Sequence, residues 1–177
     1  MKEEKLLNRI RSKAWLNKSE QMDIFKCSPE EAKELLMMYI EYRYLCPKAE
    51  VKIFDLPNNI AKEVAVAYVR RYYLCDEAEV KIFSLPHEMV REILLAYFEG
   101  SSFALCGDAE TLIFSLPPTI AREVAIEYIK HYPLCKDAQM AVFGLPREMA
   151  EEILALHALQ WGLDSNTNEV AEEYDFL

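Results

Sequence analysis

Residues 45–73 read LCPKAEVKIFDLPNNIAKEVAVAYVRRYY and residues 74–100 read LCDEAEVKIFSLPHEMVREILLAYFEG. The second stretch restates the first. Each opens on Leu-Cys, places a Phe eight residues after the Cys, and follows the Phe with x-Leu-Pro. A Glu comes seven residues after that Leu and a Tyr twelve after it. The frame returns downstream: Leu45-Cys46, Leu74-Cys75, Leu105-Cys106 and Leu134-Cys135 recur at spacings of 29, 31 and 29 residues, with Phe54, Phe83, Phe114 and Phe143 behind them. Repetition at such a period is the signature of stacked supersecondary units.

A degenerate copy lies upstream. Phe25 stands 29 residues before Phe54, and Glu34 and Tyr39 match Glu63 and Tyr68, while Cys27-Ser28 replace Leu-Pro. The copies therefore run at about 16–44, 45–73, 74–104, 105–133 and 134–161. A longer period overlies this one. Ile60–Tyr68 and Ile120–Tyr128 share I-A-[KR]-E-V-A-x-x-Y, Glu88–Leu94 and Glu148–Leu154 share E-M-x-x-E-I-L, and blocks 45–104 and 105–164 align at an offset of 60. Duplication of a pair of copies accounts for this most simply.

Each copy reads as two helices. Acidic residues after the Leu-Cys (Asp76 and Glu77, Asp108, Asp137) suit a helix N-terminus, where the macrodipole is positive. A short helix A follows, Pro47 to Asp55 in the second copy. The residue before Pro57 is pushed out of the α region, which ends helix A, and the Pro suits the first position of helix B. Helix B carries apolar residues at 60, 61, 64, 65, 68, 69 and 72, a helical period. Val66, Leu95, Ile126 and Ala155 widen that face and predict a helix flanked on more than one side.

Helices this short do not persist alone in water, so neighbouring copies must cover one another. On that reading Phe83→Ala, mid-chain, costs more than Phe25→Ala near the end. Residues 1–15 (Leu6, Leu7, Ile10, Ala14) read as an amphipathic capping helix. Residues 162–177 read as an acidic tail or a short last helix, since Glu169–Tyr174 echoes Glu123–Tyr128.

The expected fold is all-α: a short α-solenoid of about five two-helix repeats in a single domain, 1–161, with an N-terminal capping helix. Paired helices with a Pro opening the second resemble the HEAT, armadillo and leucine-rich-repeat-variant class, although the period is shorter than theirs. The resemblance implies a binding scaffold.

Composition narrows the function classes. The chain has 177 residues, 52% hydrophobic and 28% charged, with a formal net charge of −10. That field opposes nucleic-acid phosphates and anionic membrane surfaces. The N-terminal run MKEEKLLNRIRSKAW has no apolar core of a secretory signal, and no run is long enough to span a bilayer. Five Cys without close pairs argue against a disulfide framework. The expectation is a protein of the reducing cytoplasm.

Four recurring features are candidates for chemistry. Cys46, Cys75, Cys106 and Cys135 precede helix A; they are either packed thiols or thiols activated by helix N-termini. Spacing between packed helices opposes a metal column or disulfides. Glu34, Glu63, Glu92, Glu123 and Glu152 fill one position in all five copies, as inter-repeat bonds or as an acidic rail for a basic peptide. Lys33, Lys62, Arg91 and Arg122 precede them and give an alternative reading, nucleic-acid binding along the B helices. Tyr39, Tyr68, Tyr97 and Tyr128, with His157, suit packing, whereas the surplus tyrosines at the helix B ends suggest a binding rim.

No nucleophile motif, phosphate loop or ligand-spaced His cluster is present, so neither catalysis nor a cofactor or metal is expected. An enzyme site assembled across copies is the remotest alternative. The leading expectation is a protein-interaction module holding a peptide or partner protein on Lys62, Glu63, Arg91, Glu92, Arg122 and Glu123, with Tyr72 and Tyr132 at its edge.

Overall fold

The chain is all-α in a computed structural model that describes residues 2–100, 103–163 and 165–173, and no strand occurs among those residues. It divides into two compact units, Met1–Ser101 and Ser102–Leu177. Among the described residues, no helix is long and apolar enough to cross a membrane.

The first unit comprises α1 (Lys2–Arg11), α2 (Lys18–Ile24), α3 (Pro29–Ile40), α4 (Pro47–Ile53), α5 (Asn58–Val69), α6 (Asp76–Ile82) and α7 (His87–Gly100). The short helices α2, α4 and α6 pack in order against one another, as do the longer α1, α3, α5 and α7. The expected N-terminal helix thus exists, ends at Arg11 and takes the first place among the long helices. In the second unit α8 (Gly107–Ile113) packs on α10 (Lys136–Ala141), which a 3-10 turn at Val142–Gly144 extends, and α9 (Pro118–Ile129) packs on α11 (Arg147–Gln160). A last helix, α12 (Ser165–Glu173), lies against α10 and buries Thr167 and Ala171. Asp164 and residues 174–177 of the expected tail lie outside the described residues.

Local chemistry sets these boundaries. Asn17 with Glu20 and Ser28 with Glu31 form capping boxes that satisfy the free N–H groups of α2 and α3. The copies with Leu-Pro use another start. Pro57, expected as the first helical residue of α5, stands at its N-cap, with φ −50° and ψ 138°. Its carbonyl accepts the Ala61 N–H at 2.9 Å, so the ring fixes the extended entry and the helix begins one residue later. Pro117 and Pro146 do the same for α9 and α11.

The core also differs in detail from expectation. Phe54 and Phe114 are buried, but Phe25, Phe83 and Phe143 are only partly so. The residue before each Phe, Ile24, Ile53, Ile82, Ile113 and Val142, is fully buried. The β-branched residue before each Phe thus faces inward and takes the central place in the core of its copy. Gly100 marks a close approach: a Cβ there would lie 2.6 Å from the Arg70 Cα at the end of α5.

Candidate functional site

Helix A of the second copy buries Ala49 and Ile53 on one face, and Glu50 goes in beside them, 5% exposed. A carboxylate at such a place is costly unless its oxygens receive hydrogen bonds. One oxygen of Glu50 accepts the Tyr68 hydroxyl at 2.9 Å, and the other accepts the Cys75 backbone N–H of the next copy at 2.7 Å. Tyr68 in turn accepts the Leu45 N–H at 3.2 Å. Tyr68 is therefore part of a relay that ties loop, helix A and helix B of the second copy to the start of the third.

The relay recurs within each unit. Tyr97 donates to Glu79 at 2.8 Å. Tyr128 donates to Glu110 at 2.7 Å, and Glu110 accepts the Cys135 N–H at 2.6 Å. In the first copy Gln21 replaces the Glu: it accepts from the Cys46 N–H at 2.7 Å and donates to the Leu16 carbonyl at 3.1 Å. In the fifth, Gln139 donates to the Leu134 carbonyl at 3.0 Å, and His157 Nε2 accepts the Leu134 N–H at 2.9 Å. That acceptance requires Nε2 to be unprotonated.

These five buried positions were overlooked from sequence. The signal was available: each stands five residues after the Leu that opens its copy, and each is a lone polar residue on the buried face of helix A.

The cysteines sit at helix N-caps, as expected, and none uses its side chain as a cap. Activation by the helix start is overturned for two of them. Burial, with Glu50 behind it, pushes the Cys75 thiol up to about 11, and burial likewise raises Cys135 beside Glu110. Burial also raises the Tyr68 and Tyr128 phenols, and their carboxylate partners add to the effect.

The charged candidates form rungs between helices. Lys33 pairs with Glu63 at 2.5 Å, and Lys62 with Glu92 at 3.0 Å. Arg122 grips Glu152 through two nitrogens at 2.5 and 2.6 Å, which raises the guanidinium and lowers the carboxyl. Arg91 on α7 is half-buried and Glu123 on α9 is exposed. Lys33, Lys62 and Arg122 thus each reach one copy along, not to the Glu beside them. Tyr132 is half-buried, its ring 5.3 Å from that of Tyr128, and burial raises its phenol.

The loops after the long helices of the first unit gather aromatics instead. Trp15, Tyr44 and Tyr73 are 50%, 56% and 60% exposed. Trp15 meets Tyr44 edge-on at 5.1 Å, Tyr44 meets Tyr72 at 6.4 Å, and Tyr72 leans on Tyr68 at 5.2 Å. The Arg43 guanidinium lies 4.8 Å over Trp15, and the Lys13 ammonium 4.0 Å over Tyr42. Between Tyr44, Tyr72 and Tyr73 opens a cavity of about 280 Å³, lined also by Leu45, Pro47, Tyr68, Cys75 and Glu50. The site thus joins an exposed aromatic rim to a buried anion.

Charge is distributed unevenly. Residues 1–101 hold 16 Lys and Arg against 17 Asp and Glu, a net of −1, while residues 102–177 hold 4 against 13, a net of −9. The rim therefore belongs to the unit that carries almost no net charge.

No protein-family model, no curated protein and no solved structure matches the chain.

Proposed function

We propose that the chain is a protein-interaction module, a short α-solenoid whose five copies form a scaffold of the HEAT-like kind, working in a reducing cytoplasm. The observation that carries this is the aromatic rim of the first unit. Trp15, Tyr44 and Tyr73 leave half or more of their surface in water, and large rigid amphipathic side chains around a cavity are what a partner's anchoring residue requires. Five cysteines without close pairs in sequence support the reducing compartment.

The charged positions named from sequence carry a smaller share of the reading. Lys62, Glu63, Glu92 and Arg122 are held by one another or by their neighbours, and a partner would have to displace those contacts. Tyr72 keeps its place, now within the rim.

A pull-down from native lysate tests the surface. Tyr44→Ala with Tyr73→Ala is expected to abolish capture of specific partners, while Arg122→Glu leaves capture intact. The reverse outcome moves the surface to the charged rungs.

A second reading, single-stranded nucleic acid, draws on exposed Lys13, Arg70 and Arg71 near stackable rings in a nearly neutral unit. Retardation of a labelled oligonucleotide at low salt, lost on Tyr44→Ala with Tyr73→Ala, would favour it over a protein partner.

A further inference from the structure

We propose that the cavity over Glu50 takes the N-methylated ammonium of a lysine side chain presented by a partner protein, with tyrosine rings as its walls and Glu50 as its countercharge. The inference rests on the rim being a partner surface and specifies what that surface reads.

The size of the cavity is the first argument. At about 280 Å³ it falls below the usual span of small-molecule pockets and suits the end of one side chain. The walls are the second. Tyr44, Tyr68, Tyr72 and Tyr73 line it, and the ring centres of Tyr44 and Tyr68 lie 6.4 and 5.2 Å from that of Tyr72. An alkylammonium within about 6 Å of such faces is attracted by the ring quadrupoles, most strongly when desolvated.

The third argument is the buried anion. Glu50 has one hydrogen bond to each oxygen, and among the described residues no Lys or Arg pairs with it. A monopole buried with two dipolar donors still favours an adjacent cation. Exposed guanidiniums such as Arg71 oppose this only weakly, because water and salt screen them.

Methylation follows from counting donors. A plain lysine ammonium brings three N–H groups, and the cavity offers one carboxylate that already accepts two bonds. Replacing N–H by methyl lowers the number of donors this largely aromatic lining must serve and adds apolar surface for the rings.

The chain contains its own control. Glu110, Tyr128 and Cys135 build the same relay in the second unit, but Ala104 and Pro133 stand where the first unit has Tyr44 and Tyr73. The carboxylate alone is thus a structural device, and the added tyrosines make it a receptor.

The test is an amide-resolved NMR titration of the full chain with a short glycine-flanked peptide centred on dimethyl-lysine, and with its norleucine analogue. The Leu45 and Cys75 amides are expected to shift, the Cys135 amide to stay, and dimethyl-lysine to bind about tenfold or more tighter than norleucine. Glu50→Gln should lose that preference and still fold, because Gln21 holds the equivalent place in the first copy. Equal binding of both peptides, or an undiminished preference in Glu50→Gln, would overturn the inference and leave the partner rim standing. No shift at Leu45 or Cys75 also overturns it, and the lysate experiment then decides the rim separately.

Discussion

The Glu50 carboxylate accepts the amide of Cys75 at 2.7 Å, although 25 residues separate them. The bond reaches from helix A of one copy to the N-cap of the next, and Tyr68 holds the other carboxylate oxygen. Removing Glu50 therefore strands two donors at once, while an amide keeps one acceptor in place. Glu50→Ala is expected to cost about 2–4 kcal/mol, and Glu50→Gln about 1 kcal/mol, since each buried group left unsatisfied costs about 1–3 kcal/mol. Urea unfolding of the two variants beside the parent checks the order. Equal losses would mean that the side-chain volume of Glu50 matters and its hydrogen bonds do not.

Ile82 is fully buried and Phe83, its neighbour, is not. Ile82→Ala should therefore lose about 2–5 kcal/mol, the range for a filled aliphatic site, and Phe83→Ala less than that. Chemical denaturation ranks them directly; a larger loss at Phe83 would restore the ring as the anchor of the copy.

Gly100 has no room for a methyl group: its Cβ would stand 2.6 Å from the Arg70 Cα. Backbone atoms cannot swing aside as a side chain does. Gly100→Ala should destabilise by about 1–3 kcal/mol, the usual cost of overpacking, despite the better helix propensity of Ala. A melting temperature at or above the parent's would show that α5 and α7 part without strain.

Alkaline pH should weaken the fold. Burial and Glu50 raise the Cys75 thiol from 9.0 to about 11. Above pH 9.0 the unfolded chain gives up this proton while the native state keeps it, so the native state binds more protons and stability falls as pH rises. The contribution is complete below the unfolded value and gone once pH passes about 11. Tyr68 and Tyr128, also raised, act in the same direction at still higher pH. Alkylation of Cys75 followed by mass spectrometry should accelerate toward pH 11; a profile centred near the ordinary thiol value of 9.0 would contradict this.

The helices were legible because Leu-Cys, Phe-x-Leu-Pro and the apolar period of helix B are all local signals. What escaped was non-local. The partner of Lys62 is Glu92 and not the adjacent Glu63, because residues 30 apart become neighbours only when long helices lie side by side. Glu50 was hidden by its type: an acidic residue near a helix start passes for dipole chemistry, and only burial shows that its targets are Tyr68 and Cys75. Tyr72 was found because tyrosines in excess of core needs are visible as a count. That a cavity opens beneath it depends on Pro47 and Cys75, which no spacing links to it.

The exchange of Glu for Gln in the first and fifth copies bears on how the first unit can be shortened. A carboxylate only receives protons, so Glu50 relies on an amide that the following copy supplies. Glutamine carries donors of its own and points one at a carbonyl of its own copy, at Leu16 and at Leu134. Cutting the chain after residue 73 would leave a half-served anion at the new end, so a truncated version should also carry Gln at residue 50.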